Sequence, residues 1–264
     1  MLAQRVATAA VGIPVLVGLI YLGGLPFAFA ATAVIFAATL EFYTAASLSP
    51  RRPLALMGAA FAASFVPASE LAPEWRIGLL TGLILLTLAV LVLEGQVRDG
   101  FTVWMWVLAG ALYVGWLGHH LFLIREDLAG GRDWLFLAVF GTFATDTGAY
   151  VAGRALGRRP LAPAISPKKT VEGAAGGVVA GLAAVVALSY LPGVDISLPA
   201  AGLLGLLVPV AAQLGDLAES LIKRGLGLKD TGHLLPGHGG LLDRLDSLLF
   251  VGVVVYYYAV WLGT

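Results

Sequence analysis

The sequence predicts an all-α fold, a polytopic integral membrane protein with about nine transmembrane helices. Three observations carry that expectation. Of 264 residues, 59% are hydrophobic and only 12% are charged, against about 25% charged in soluble globular domains. The apolar residues fall into runs close to the roughly 20 residues that cross the hydrocarbon as a helix. The basic residues between those runs are distributed very unevenly.

The runs cover about 6–22, 25–45, 54–69, 76–93, 101–123, 133–152, 171–191, 198–216 and 246–262. The first, with a single arginine ahead of it, has the outline of a signal peptide. No polar mature domain follows, so it reads as a retained first span. Gly23, Gly24 and Pro26 divide it from the second. The third is short. Trp104, Trp106, Trp116 and Trp134 are expected as interface anchors, and His119 and His120 at the outer interface. Gly173, Gly177 and Gly181 recur every four residues in the seventh run, a spacing suited to close helix packing.

Placing the N-terminus inside assigns 13 of the 16 Lys and Arg residues to inside segments, leaving only Arg76, Arg125 and Arg132 outside. Basic residues accumulate on the cytoplasmic side, so that orientation is the expected one. The two longest loops, about 153–170 and 217–245, then face the cytoplasm. The expected organisation is a single membrane domain over 1–264, with an N-terminal helical part to about 130 and a catalytic part from about 133. No polar stretch is long enough to bury a soluble core. The absence of cysteine excludes disulfides and thiolate-ligated metals.

Polar chemistry concentrates in the last third. Asp216, Glu219, Ser220 and Lys223 are spaced i, i+3, i+4, i+7 and share one helix face. They read either as self-paired charges on a helix leaving the membrane or as part of a site. Lys229 and Asp230 follow, then Pro236-Gly-His238-Gly239-Gly240, then Asp243-Arg244-Leu-Asp246. The glycines allow backbone N–H groups to approach phosphate oxygens, and a helix starting near Leu241 would aim its positive end at them. Asp243 and Asp246 lie one turn apart at the start of an apolar run, where an unpaired carboxylate is expensive. Asp146 sits inside another apolar run and is a functional candidate or a hydrogen-bonded structural Asp. Before Thr170, a candidate helix N-cap with Glu172 in the first turn, Lys168 and Lys169 suit phosphate contacts or simple positive-inside anchoring. Neither GxxxxGK[ST] nor GxSxG occurs, which leaves a Walker-type ATPase and a serine-hydrolase elbow unsupported.

The run Ser220-x-x-Lys223-Arg224-x4-Lys229-Asp230-x5-Pro236-x-His238-Gly239-Gly240-x-x-Asp243-Arg244-x-Asp246 resembles the signature of phosphatidate cytidylyltransferases. Asp146 to Tyr150 and Ser166 to Gly173 are similar to that family's upstream elements. The resemblance implies transfer of the cytidylyl group of CTP to phosphatidate, giving CDP-diacylglycerol and pyrophosphate. It also implies Mg2+, sometimes with K+ beside it, a homodimer in the inner membrane, and a site open to cytosol and bilayer. No nucleic-acid partner is implied.

Carried over by position, the metal ligands would be Asp216 and Asp246 first, then Asp243 and Asp146, with Lys223 also in the catalytic set. Ser220, Arg224, Lys229, His238, Gly239, Gly240, Arg244, Lys168 and Lys169 would hold the substrates. Two rivals are a CTP-dependent lipid kinase, such as a polyprenol kinase, and a transporter with Asp146 and Asp216 on an ion path. The transporter is disfavoured because the polar residues gather in one half of the chain. The expectation common to all the site assignments is that Asp216 and Asp246 converge.

Overall fold

Nearly every apolar run is a helix in the computed structural model, which describes residues 2–48, 53–71, 74–95, 98–232 and 239–262, with side chains from residue 10 onward. The helices are α1 (Leu2–Leu22), α2 (Gly24–Ala45), α3 (Pro53–Leu71), α4 (Trp75–Leu93), α5 (Gly100–Gly110), α6 (Leu117–Asp127), α7 (Gly131–Leu156), α8 (Val171–Leu188), α9 (Leu198–Gly225) and α10 (Asp246–Leu262). A π-helical turn over Ala111–Trp116 joins α5 to α6 without a break, so these two form one span. Seven of the resulting helical segments are long and apolar enough to cross a membrane. That count is of the described residues; α1 is apolar over Ala10–Leu22, and α10 is apolar but only 17 residues long.

Two units divide the chain: Met1–Phe122 with Asp230–Asp243, and Leu123–Lys229 with Arg244–Thr264. In the first, α1 gives way to α2 at Gly23, whose φ of 62° suits a residue without Cβ. Helix α3 packs against α2, α4, α5 and the π turn. Tyr43 is fully buried and its hydroxyl donates to the Val107 carbonyl at 2.7 Å, which satisfies a polar group that lipid could not solvate. His119 and His120 were expected at an interface. Both are instead buried, with their Nδ1 atoms on the Trp116 carbonyl and their rings against Trp116.

In the second unit, α7, α8, α9 and α10 pack together. The α8 glycines perform the expected packing role. A Cβ on Gly173 would stand 2.9 Å from the Ala149 carbonyl oxygen of α7, and one on Gly177 would stand 3.0 Å from that of Thr145. Trp134 is buried in α7 rather than set at an interface. The predicted loop before α8 holds a small antiparallel hairpin, β1 (Pro160–Ala162) paired with β2 (Ser166–Thr170), with Pro160 opposite Thr170 and Ala162 opposite Ser166. Thr170 caps α8 as its sequence suggested, its hydroxyl oxygen accepting the Gly173 N–H at 3.1 Å. Glu172 fastens the hairpin to that helix start by accepting the N–H groups of Arg158 and Arg159 at 2.9 and 3.1 Å.

Candidate active site

Within the second unit, the hairpin and parts of α7, α8 and α9 enclose a cleft of about 460 Å³. Asp146 and Tyr150 of α7, Lys168 and Lys169 of β2, and Gln213 and Asp216 of α9 line it. Lys169 reaches from the hairpin to α9, its Nζ standing 2.7 Å from Asp216 Oδ2. The other oxygen of that carboxylate accepts the Ser220 hydroxyl at 3.4 Å. One turn further, Lys223 Nζ pairs with Glu219 Oε2 at 2.5 Å, and the Glu219 side chain is 1% exposed. The helix face predicted from the spacing is therefore present, and its charges are paired.

Asp246 is the first residue of α10, where a negative charge meets the positive end of the helix. Its Oδ1 accepts the Ser247 N–H at 2.6 Å. Helix α9 comes against this helix start through Gly215, because a Cβ there would stand 2.6 Å from the Asp246 carbonyl oxygen. Asp246 lies within Coulombic reach of Asp216, Lys223 and Arg244, and Asp146 within reach of Asp246, Asp216, Lys169 and Arg244. Asp216 and Asp246 thus converge, and carboxylates from three helices share one neighbourhood with three basic side chains.

Carboxylates that close repel one another in a poorly screened setting, so the arrangement attracts cations. Among the described residues, no three His, Asp or Glu groups stand close enough to ligate one ion. The described residues therefore form no closed, all-protein metal site. The donor set fits Mg2+, which commonly takes one or two carboxylates and completes its octahedron with water and substrate phosphates.

The remaining predicted residues take other positions. Lys168, Lys229 and Arg244 are exposed. Arg224 donates to the carbonyls of Ile165 and Leu228 at 3.3 and 3.0 Å, which ties the hairpin to the end of α9. Asp243, Gly239 and Gly240 belong to the first unit. There the buried Asp243 accepts N–H groups from Gly240 at 2.8 Å and from Thr231 at 3.3 Å. Residues 242–244 form a 3₁₀ turn and α10 begins only at Asp246, so no helix starts at Leu241. His238 and Gly237 lie outside the described residues. Two carboxylates were not given roles from sequence. Glu219 lay on the predicted face without an assigned partner, and Glu41 stands among apolar residues as the single charge in α2.

A model of the cytidylyltransferase family matches residues 3–262. The phosphatidate cytidylyltransferase of Bacillus subtilis is 35% identical over 263 residues, covering 96% of this chain and 96% of that protein. The enzyme of that name from Brucella suis is 42% identical over 156 residues, 58% of this chain and 56% of its own. The one from Mycobacterium bovis is 47% identical over 120 residues, 45% of this chain and 39% of its own.

Proposed function

The chain belongs to the cytidylyltransferase family and is a nucleotidyltransferase, and on that premise we propose that it joins CTP to phosphatidate at the cytoplasmic face of the inner membrane. The observation that carries the proposal is a cleft lined by Asp146, Asp216 and Lys169, with Asp246 and Arg244 within Coulombic reach of Asp146 and Lys223 within reach of Asp246. Such a site suits two anions that must be brought together although they repel.

In the proposed reaction a phosphate oxygen of phosphatidate attacks the α-phosphorus of CTP in line with the bond to the bridging oxygen. The new P–O bond forms as that bond breaks, and pyrophosphate leaves with the electron pair. The attacking oxygen is already anionic, so no Ser or Cys nucleophile is required. Catalysis is then mainly positioning and charge neutralisation, as in phosphoryl transfer generally. Lys168 and Lys169 on the hairpin would hold one anion. Lys223, Lys229 and Arg244 would hold the other, while Arg224 keeps the hairpin on α9 and Ser220 orients Asp216. Asp216 and Asp246 are the residues that would hold Mg2+, with Asp146 beside them. When bound, that ion would offset charge on the triphosphate.

The basic residues gathered in the segments that bear the site support a cytoplasmic orientation by the positive-inside bias. The homodimer implied by the family resemblance forms part of the same reading, and light scattering of the purified protein measures it. The reading is tested by incubating that protein with phosphatidate, CTP and Mg2+ and identifying the soluble product. Pyrophosphate is expected; CDP would mark a kinase instead.

A further inference from the structure

We infer that Glu41 is a positioning residue for this reaction, clamping the backbone at Leu241 and Leu242 that leads into Arg244 and Asp246. This rests on the cytidylyl-transfer reading of the site. Glu41 lies in the last turns of α2, the single charged residue of that helix. A carboxylate at such a position persists only with partners. Its partners belong to the chain some 200 positions onward. Oε2 accepts the backbone N–H of Leu241 at 2.7 Å and that of Leu242 at 3.2 Å. Oε1 faces the Thr231 hydroxyl at 3.5 Å.

The sequence around the carboxylate is shaped to admit it. A Cβ on either Gly232 or Gly240 would collide with Glu41 Oε1, so both glycines are needed for the close approach. Asp243 completes the arrangement from the other side by accepting the N–H groups of Gly240 and Thr231. The N–H groups of Gly240, Leu241 and Leu242, which the sequence suggested for phosphate, are thus engaged by the protein's own carboxylates. Bonds to an ionised acceptor are the stronger class of hydrogen bond. Two of them on consecutive residues fix the path of the backbone two residues before Arg244 and four before Asp246. Glu41 touches no substrate in this account. It acts by holding the segment that carries those two side chains, and a small misplacement of catalytic groups is costly in rate.

The test uses the full chain, purified in detergent, with Glu41→Gln and Glu41→Ala. Glu41→Gln keeps the shape but removes the charge and sets an NH2 group where an acceptor stood. The expected result is at least a tenfold loss of kcat/KM in protein that still elutes as a folded species, expressed mainly as a raised KM for the substrate that Arg244 holds. A fall in the fraction folded would lower the apparent kcat and leave KM alone, so KM separates positioning from a merely structural role. Hydrogen exchange supplies an activity-independent reading. In the wild type the Leu241 and Leu242 amides should be protected, and in Glu41→Gln they should exchange at least tenfold faster. A KM within twofold of wild type in the folded variants, or unprotected Leu241 and Leu242 amides in the wild type, would overturn the inference. Failure of the wild type to make a CDP-lipid would instead sink the functional reading, and the exchange result would still report on the clamp.

Discussion

Lys169 Nζ stands 2.7 Å from Asp216 Oδ2, joining the β-hairpin to α9 within the lining of the cleft. Both side chains are half-buried, 27% and 33% exposed, and both line the cleft. A substrate phosphate entering there would compete with Asp216 for the ammonium group. Lys169→Met should leave thermal stability almost unchanged and raise the KM for CTP about tenfold, the order expected for one lost charge-assisted contact. Steady-state kinetics with both substrates check this, and unchanged constants would remove Lys169 from substrate handling.

Asp246→Asn should abolish turnover, with a loss of at least about a thousandfold, in a protein that still elutes and melts like the wild type. The amide keeps the size of the side chain but removes a negative charge from beside Asp216. If the ion is shared between Asp216 and Asp246, excess Mg2+ should restore little, because one of its few protein ligands is gone. Activity near wild type in folded Asp246→Asn would exclude it from the reacting centre.

Lys223 has two consequences to separate, since its ammonium pairs with the buried Glu219. Removing one partner of a buried pair leaves an uncompensated charge and costs about 3–5 kcal/mol. Lys223→Ala should therefore destabilise the protein as well as slow it. In Lys223→Ala/Glu219→Gln much of the stability should return and the activity should not. Recovery of both would reduce Lys223 to a counter-ion for Glu219.

Gly215→Ala tests the approach of α9 to the start of α10. Its Cβ would stand 2.6 Å from the Asp246 carbonyl oxygen, so the two helices must separate. Overpacking of this kind costs about 1–3 kcal/mol, and displacement of Asp246 from Asp216 should cost at least tenfold in rate. Thermal melts and initial rates measure both effects.

What could be read from sequence was what local periodicity controls. The length of an apolar run gives a span, so α2 to α8 fall close to their expected ranges, while α9 runs on to Gly225 into the stretch expected as loop; the i, i+4 spacing of the α8 glycines and the Asp216–Lys223 face transferred directly into contacts. Thr170 followed from capping chemistry. The hairpin did not, because strands of three and five residues within a proline-containing stretch show no alternation to detect. Pairings such as Lys169 with Asp216, or Glu41 with Leu241, join residues far apart in the chain and follow from how helices pack. The one available signal for Glu41 was its isolation as a charge within α2, the same criterion that singled out Asp146. His119 and His120 were misplaced because polarity suggested an interface, whereas the Trp116 carbonyl supplies their hydrogen bonds inside the bundle.

The most direct test supplies the purified protein with phosphatidate, Mg2+ and CTP labelled at either the α- or the γ-phosphorus, then extracts the lipid. Label from the α position should enter the lipid, with the γ label recovered entirely as pyrophosphate. Entry of the γ label into the lipid, or of neither label, would contradict cytidylyl transfer at this site.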